Sequence, residues 1–205
     1  HLRKLTDDET HALRKKWHIL VEGDGMPPPI RKFAEMRLPP CIIEALAQKN
    51  ISRPTPIQVQ GLPCALAGRD MLGIAFTGSG KTLVFTLPGV LRACEEERRL
   101  PLASGEGPVS LLICPARELA RQTHEVARHY VDALGRAGLA RMRTMLCIGG
   151  EGGREQMQAI QSGVHIIVAT PGRLKAYLNE GKLGLDLCKY IALDEADRLT
   201  DQGFD

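Results

Sequence analysis

The chain contains 205 residues, 43% of them hydrophobic and 25% charged, with a formal net charge of +3. This length and composition are typical of one globular domain that buries a sizeable core, and the weak positive charge excludes a polycationic tail. The six cysteines include no CxxC pair, and no stretch approaches the roughly 20 apolar residues of a membrane span. We therefore expect a soluble, intracellular protein without a zinc site, a disulfide framework or a membrane helix.

The amino-terminal part of the sequence predicts helices separated by irregular segments. Residues 18–22 are strand-like, whereas three consecutive prolines at 27–29 remove amide donors and interrupt regular structure. Elsewhere apolar residues recur at helical spacing. The predicted helices are Thr10–Trp17, Pro39–Lys49 and Ile57–Leu66. We expect residues 1–32 to form an extension or strap and residues 33–205 to form the main domain.

After residue 70, short apolar runs alternate with longer segments of helical periodicity. The runs predict strands over Met71–Ala75, Val109–Cys114, Thr144–Ile148, Val164–Ala169 and Tyr190–Leu193. The predicted helices are Thr82–Glu96, Arg117–Leu134, Arg154–Gln161 and Gly172–Glu180. The segment Glu95–Pro108 combines like charges with Pro and Gly and is predicted to be a mobile surface loop. This alternation predicts an α/β fold with a mostly parallel central sheet and helices on both faces.

The stretch GIAFTGSGKTLVF, residues 73–85, places a glycine-rich turn between a predicted strand and a predicted helix. Converging amides in such a turn bind phosphate, a lysine neutralises it, and a hydroxyl holds Mg²⁺. Ala75 occupies the first glycine position of the phosphate-binding pattern, and the alternative is a glycine-rich turn with an exposed lysine. The residues predicted to bind the nucleotide phosphates are Thr77, Gly78, Ser79, Gly80, Lys81 and Thr82.

Two adjacent carboxylates, Asp194 and Glu195, end the last predicted strand. Functional sites gather beyond the carboxyl ends of parallel strands, so we expect these acids at the same sheet edge as the glycine-rich turn. Asp194, with Thr82, is predicted to hold Mg²⁺, and Glu195 to orient and deprotonate an attacking water. Together with Lys81 they form the predicted catalytic set. A solvated acidic turn is the alternative.

Residues 194–197 read DEAD, and with five further motifs they resemble the DEAD-box RNA helicases. In chain order, the other motifs are RPTPIQ at 53–58, AFTGSGKT at 75–82, PARELA at 115–120, GG at 149–150 and TPGRL at 170–174. The resemblance covers residues 33–205, and the wording around HILVEGDGMPPPIRKF is similar to the Abstrakt branch of that family. It implies a RecA-like P-loop NTPase domain that uses ATP and Mg²⁺ and acts on RNA.

The resemblance also implies roles for individual residues. Gln58 would hydrogen-bond the adenine edge, and Phe33 would help to position the segment that contains Gln58. Ile51 and Arg53 would lie against the base. Ala116 stands where relatives carry Thr or Ser, which predicts a small loss of RNA affinity. The residues implied in contacts with the RNA sugar–phosphate backbone, with little sequence preference, are Pro115, Arg117, Gly150, Thr170 and Arg173.

In this family a second RecA-like domain supplies further motifs, including an arginine for phosphoryl transfer, and none of them is present in this sequence. We therefore expect these residues alone to bind ATP with little turnover, and the complete protein to unwind short RNA duplexes or remodel ribonucleoproteins. Resemblance to the Abstrakt branch implies pre-mRNA splicing, spliceosomal protein partners, a monomer and a nuclear location, with the cytoplasm as the alternative. A different P-loop NTPase and an ATP-gated RNA clamp or scaffold are the other hypotheses.

Overall fold

In the computed structural model, residues 5–150 and 152–201 are described; parts of the predicted extension and of the predicted main domain, residues 1–4, 151 and 202–205, lie outside them. The chain divides into a first unit within residues 1–88 and a second unit within residues 89–205. Each unit is described by itself below. The predicted domain boundary at residue 33 stays a prediction.

The first unit is helical. Its elements are helix α1 (Asp7–Lys16), a short 3₁₀ helix (Phe33–Met36), helices α2 (Pro40–Gln48) and α3 (Pro56–Leu66), and the first part of α4 (Lys81–Arg99). Thr6 caps α1, because its hydroxyl accepts from the Glu9 amide while the Glu9 carboxylate accepts from the Thr6 amide. The three helices predicted for this part of the chain are confirmed, with ends that shift by at most three residues.

The strap that precedes residue 33 is bound to the first unit by a polar cluster. Arg14 Nε donates to Gln60 Oε1 at 2.9 Å, and Gln60 Nε2 donates to the Pro27 carbonyl oxygen at 2.9 Å. The prediction of strand-like structure over residues 18–22 is wrong. His18 has φ +54°, which starts a turn, and no strand partner faces this segment among the described residues.

The strand predicted over Met71–Ala75 is also absent. The segment forms no regular element, and no described strand pairs with it. The alternate side chains Leu72, Ile74 and Phe76 are therefore 82%, 86% and 91% exposed. A β-preferring sequence forms a strand only where a neighbouring backbone accepts and donates its hydrogen bonds, so local pattern alone misassigned this run.

The second unit is built on a four-stranded parallel sheet. Its strands are β1 (Ser110–Ile113), β2 (Thr144–Cys147), β3 (Ile166–Ala169) and β4 (Tyr190–Leu193), in the spatial order β2-β3-β1-β4. The helices are α5 (Arg117–Arg136), α6 (Gly153–Gln161), α7 (Pro171–Asn179) and α8 (Ala196–Asp201), with the last part of α4. The strand ends Ile113 and Cys147 both align with Ala169, so the carboxyl ends of β1, β2 and β3 lie side by side.

Successive side chains of each strand point to opposite faces of the sheet. Helices cover both of these faces. One face forms a buried apolar cluster with α6 and α7. Its buried members are Leu111, Met145, Cys147, Ile160, Val164, Ile167, Ala169, Leu174, Tyr177 and Leu183. On the other face, Ser110 Oγ donates to the Gly89 carbonyl oxygen in α4 at 2.8 Å, and His124 in α5 hydrogen-bonds Thr144 Oγ1 at 3.0 Å. The predicted parallel α/β architecture is confirmed.

The predicted loop Glu95–Pro108 begins later than expected, since α4 continues to Arg99. The charged residues that suggested a loop instead extend the helix by forming pairs such as Arg92–Glu96, whose Nη2 and Oε1 lie 2.8 Å apart. The remainder is tied to the unit, because the Val164 amide donates to the Glu106 carbonyl oxygen at 3.0 Å. No helix among the described residues is both long and apolar enough to cross a membrane.

Candidate functional site

The glycine-rich turn ends at the first residue of α4 and has an unusual backbone. Gly78 and Gly80 have φ of +78° and +87°, a region that side chains with a Cβ rarely adopt. A Cβ on Gly80 would stand 2.3 Å from Gln58 Nε2, whereas one on Gly78 would meet nothing within 4 Å. Positive-φ residues before a helix start turn successive amides toward one point, which is the geometry of an anion site.

Two residues at the start of α3 brace this turn. Gln58 Nε2 donates to the Gly80 carbonyl oxygen at 3.0 Å, and Thr55 Oγ1 donates to the Ser79 carbonyl oxygen at 2.7 Å. Gln58 Oε1 also accepts from the Thr55 amide at 3.0 Å. Sequence reasoning missed the role of Thr55, although Thr-x-x-Gln before an apolar run is a capping-box signal that marks both residues.

The lysine and serine of the turn are placed for a polyanion. Lys81 Nζ donates to the carbonyl oxygens of Ala75 and Phe76, so its charge lies against the turn itself. The Ser79 hydroxyl is buried and has no hydrogen-bond partner among the described residues. A buried unpaired hydroxyl is costly, and a phosphate oxygen would satisfy it. The side chains present therefore fit a nucleotide phosphate.

The residues predicted to recognise adenine occupy different environments. Phe33 is buried in the 3₁₀ helix, Ile51 is half-buried and Arg53 is exposed. Gln58 is buried, and its amide oxygen and nitrogen bond Thr55 and Gly80 respectively. Hydrogen bonding of the adenine edge by Gln58 stays a prediction. It requires the side-chain amide either to bond the base in addition to Thr55 and Gly80, or to give up one of these bonds for the base.

In the second unit, the acidic pair follows β4 directly. The Asp194 side chain is buried, and its amide donates to the Ile113 carbonyl oxygen at 2.9 Å, which fixes it beside the end of β1. Glu195 adopts φ +48°, a strained conformation for a residue with a side chain. Its Oε2 accepts from Arg198 Nη1 at 3.0 Å across the first turn of α8. This backbone strain at a carboxylate is typical of a functional position.

The negative field of the acidic pair acts on a neighbouring thiol. Burial, with a smaller contribution from the charges of Asp194 and Glu195, raises the pKa of Cys114 to about 12. Cys114 therefore stays a neutral thiol near the acids. Among the described His, Cys, Asp and Glu residues, no group of three could hold a metal ion. The Asp194 carboxylate and the Thr82 hydroxyl are each an oxygen donor of the kind that Mg²⁺ takes.

The residues implied in RNA contacts lie at the carboxyl ends of β1, β2 and β3. Arg117 begins α5 and its guanidinium lies against the glycine pair, since a Cβ on Gly150 would stand 3.1 Å from Arg117 Nη1. Thr170 precedes α7, and its amide donates to the Cys147 carbonyl oxygen at 3.0 Å. Pro115 is half-buried directly after β1. Ala116 leaves the start of α5 without a side-chain cap.

Arg173, in the first turn of α7, is held by two residues that sequence reasoning missed. Its Nε donates to Gln156 Oε1 at 3.2 Å and its Nη2 to the Tyr177 hydroxyl at 2.7 Å. Arg173 and Tyr177 are four residues apart in one helix, a spacing that brings side chains together and could have been noticed. Gln156 comes from another helix, and no local signal in the sequence connects it to Arg173.

Comparison with known proteins agrees with this geometry. A family model described as DEAD/DEAH box helicase matches residues 55–205. DEAD-box ATP-dependent RNA helicase 35 of Arabidopsis thaliana is 55% identical over 205 residues, which cover 100% of this chain and 35% of that protein. The Drosophila melanogaster ATP-dependent RNA helicase abstrakt is 52% identical over 205 residues, which cover 100% of this chain and 33% of that protein. The chain thus spans about a third of the length of these curated relatives.

A solved structure shows the same fold. The crystal structure of the yeast DEAD-box splicing factor Prp28 matches with a TM-score of 0.86 and 27% identity, covering 100% of this chain and 46% of that one. Prp28 from Chaetomium thermophilum bound to ADP matches with a TM-score of 0.83 and 35% identity, covering 99% of this chain and 48% of that one. These similarities confirm the predicted RecA-like α/β fold class.

Proposed function

Because this chain belongs to the DEAD/DEAH box helicase family, we propose that it is the nucleotide- and RNA-binding part of an ATP-dependent RNA helicase. The observation that carries this proposal is the glycine-rich turn, with two positive-φ glycines, that ends at the first residue of α4 and is braced by Gln58. Ordering two glycines in such a turn costs conformational entropy on folding, and binding of a polyphosphate is the function that accounts for it.

The nucleotide is assigned to the first unit. The amides of Gly78, Ser79 and Gly80 bind phosphate oxygens, and the Lys81 ammonium leaves its carbonyl partners to neutralise the outer phosphates. Thr77 belongs to the same turn. The half-buried Ile51 and the exposed Arg53 provide apolar and cationic contact with the base. Phe33 supports this region from its buried position.

Hydrolysis is assigned to acidic residues of the second unit together with Mg²⁺. The Asp194 carboxylate and the Thr82 hydroxyl would each offer an oxygen ligand to the ion, which would supply positive charge to the phosphates. Glu195 accepts a hydrogen bond from the attacking water and takes its proton. Arg198 Nη1 donates to the Glu195 carboxylate at 3.0 Å and limits its rotation.

RNA is assigned to the surface formed by Pro115, Arg117, Gly150, Thr170 and Arg173. These residues offer guanidinium groups, a hydroxyl and close backbone approach, which suit phosphates and sugars rather than base edges. We therefore propose binding with little sequence preference. Yeast Prp28, which shares this fold, is a DEAD-box splicing factor. That similarity supports a role in pre-mRNA splicing with spliceosomal proteins as partners. A nuclear location and a monomeric state belong to the same proposal.

Substitution Glu195→Gln in the full-length protein tests this function. The glutamine has nearly the size of the glutamate and can still form hydrogen bonds, but it cannot accept a proton from water. RNA-stimulated phosphate release should therefore fall by at least about 100-fold, as expected for loss of a general base. ATP affinity, measured by titration calorimetry, should change by less than about threefold. Asp201→Asn removes an exposed carboxylate at the end of α8 and should leave both quantities unchanged. Normal phosphate release by the Glu195→Gln variant would contradict the assignment.

A further inference from the structure

One buried side chain joins two parts of the proposed RNA surface. Gln156 lies in α6 and is only 5% exposed. Its Nε2 donates to the Ile148 carbonyl oxygen at 3.0 Å, directly before the glycine pair Gly149–Gly150. Its Oε1 accepts from Arg173 Nε at 3.2 Å and from the Tyr177 hydroxyl at 3.0 Å. Gln156 therefore connects the glycine pair at the end of β2 with the arginine at the start of α7.

The bonds around Gln156 fix the direction of the Arg173 side chain. The Arg173 Nη2 donates to the Tyr177 hydroxyl at 2.7 Å, and the guanidinium carbon lies 4.3 Å from the Tyr177 ring centroid. Tyr177 is itself buried in the apolar cluster between the sheet and α7. These bonds use two of the five guanidinium N–H groups and leave three for a ligand. Arg173 is thus both oriented and able to donate.

The glycine pair needs the same support. Gly150 has φ +85°, and Arg117 Nη1 lies 3.1 Å from the position that a Cβ would take. The Ile148 carbonyl that Gln156 holds is buried in the turn that leads into this pair. A loop with a positive-φ glycine has many accessible conformations, so a fixed anchor at its first residue restricts it strongly.

We propose that Gln156 is a positioning residue for RNA binding, which sets Arg173 and the Gly149–Gly150 loop in one geometry matched to successive phosphates of a single strand. Tyr177 completes the arrangement by bonding both Gln156 and Arg173. The inference rests on the proposed function, because it assumes that Arg173 contacts RNA. Its physical basis is preorganisation: a guanidinium that is already oriented loses less side-chain freedom when it binds a phosphate.

The test compares Gln156→Leu with Gln158→Leu in the full-length protein. Gln158 lies in the same helix but is exposed, so it controls for helix propensity and composition. Affinity for a fluorescent oligouridylate is measured by anisotropy with a non-hydrolysable ATP analogue present. Gln156→Leu should weaken RNA binding about tenfold, as expected for loss of a charge-assisted hydrogen bond, and leave ATP affinity unchanged. Gln158→Leu should bind RNA normally.

A double-mutant cycle separates positioning from general damage. If Gln156 acts through Arg173, then Arg173→Ala should weaken RNA binding much less in the Gln156→Leu background than in the wild type. Tyr177→Phe keeps the buried ring but loses the hydroxyl, and it should weaken RNA binding severalfold without lowering the thermal midpoint. This second variant keeps the proposal testable if Gln156→Leu fails to fold.

The outcomes distinguish the inference from the function on which it rests. Normal RNA binding by Gln156→Leu and Tyr177→Phe, with weakened binding by Arg173→Ala, would overturn the positioning role alone. Additive effects of Gln156→Leu and Arg173→Ala would also overturn it. Normal RNA binding by Arg173→Ala would overturn the proposed RNA surface and the positioning role together.

Discussion

Single residues in this chain make contacts that their sequence neighbours do not reveal. His165 is fully buried just before β3, and its Nδ1 accepts a hydrogen bond from the Arg143 amide at 3.1 Å. Its Nε2 lies 2.9 Å from Glu97 Oε2, to which it donates. The Leu102 amide donates to the same carboxylate at 2.8 Å. The cluster thus ties the loop after α4 to the amino-terminal edge of the sheet.

Both titrating members of this cluster have shifted pKa values. Burial lowers the pKa of His165 below 6.5, although its hydrogen bond to Glu97 opposes the shift. Burial disfavours the charged form of Glu97, but hydrogen bonds from Leu102 and His165 and the charge of Arg143 hold its pKa below 4.5. The folded state therefore contains a neutral His165 whose Nδ1 can accept, and an ionised Glu97.

We predict that this cluster makes stability sensitive to mild acid. The pKa of His165 is lower in the folded state than in the unfolded state, so below about pH 6.5 the unfolded state binds a proton that the folded state does not. The free energy of unfolding is therefore unaffected by this histidine well above pH 6.5 and decreases as the pH falls below it. The lowered pKa of Glu97 also makes the fold less stable as the pH falls, but at lower pH. The thermal midpoint of the wild type should therefore fall between pH 7.5 and 5.5 by more than that of His165→Asn.

His11→Asn provides the matched control, since His11 is exposed on α1. This variant should retain the full pH dependence of the wild type. Equal pH dependence for the wild type and His165→Asn would show that the buried histidine does not control acid stability.

The strands and helices of the second unit could be predicted from the sequence, because each strand is a short apolar run and each helix has apolar residues at helical spacing. Tyr190–Leu193 forms a strand with the predicted ends, and the predicted start of α5 at Arg117 is confirmed. Met71–Ala75 has the same kind of pattern but no described strand beside it, so pairing decided the outcome. Likewise, the contact of Gln156 with Arg173 depends on how two helices pack and could not be read from either segment.

The glycine-rich turn shows how two elements constrain each other. We predict that Gly80→Ala destabilises the fold and weakens ATP binding more than Gly78→Ala does. Both alanines carry the cost of a positive φ, about 1 kcal/mol. Only the Gly80 methyl also meets Gln58, whose Nε2 would lie 2.3 Å away, and would displace the brace from α3. Thermal midpoints and ATP titrations of both variants measure the difference.

Gly78→Ala serves as the control for backbone strain, because its Cβ would enter open space. Equal losses in the two variants would indicate that the contact between Gln58 and Gly80 does not constrain the turn.

For the whole molecule, the proposed chemistry draws on both units. The first unit contains the turn proposed to bind phosphate, and the second contains the acidic pair and the proposed RNA surface. The motifs that identify these parts could be read from the sequence, since each is a contiguous run of residues. Among the residues that hold these parts, Gln156 was found only in the structure because it bonds a residue of another helix, whereas Thr55 and Tyr177 have local signals in the sequence.

If the glycine-rich turn binds the phosphates of ATP through Lys81, a calorimetric titration of the full-length protein with ATP and Mg²⁺ should detect the loss of that lysine. Wild type and Lys49→Ala, which removes an exposed lysine of the first unit, should bind ATP equally. Lys81→Ala should bind at least about tenfold more weakly, since a charge-assisted bond to phosphate is lost. Unchanged ATP affinity in the Lys81→Ala variant would contradict the account.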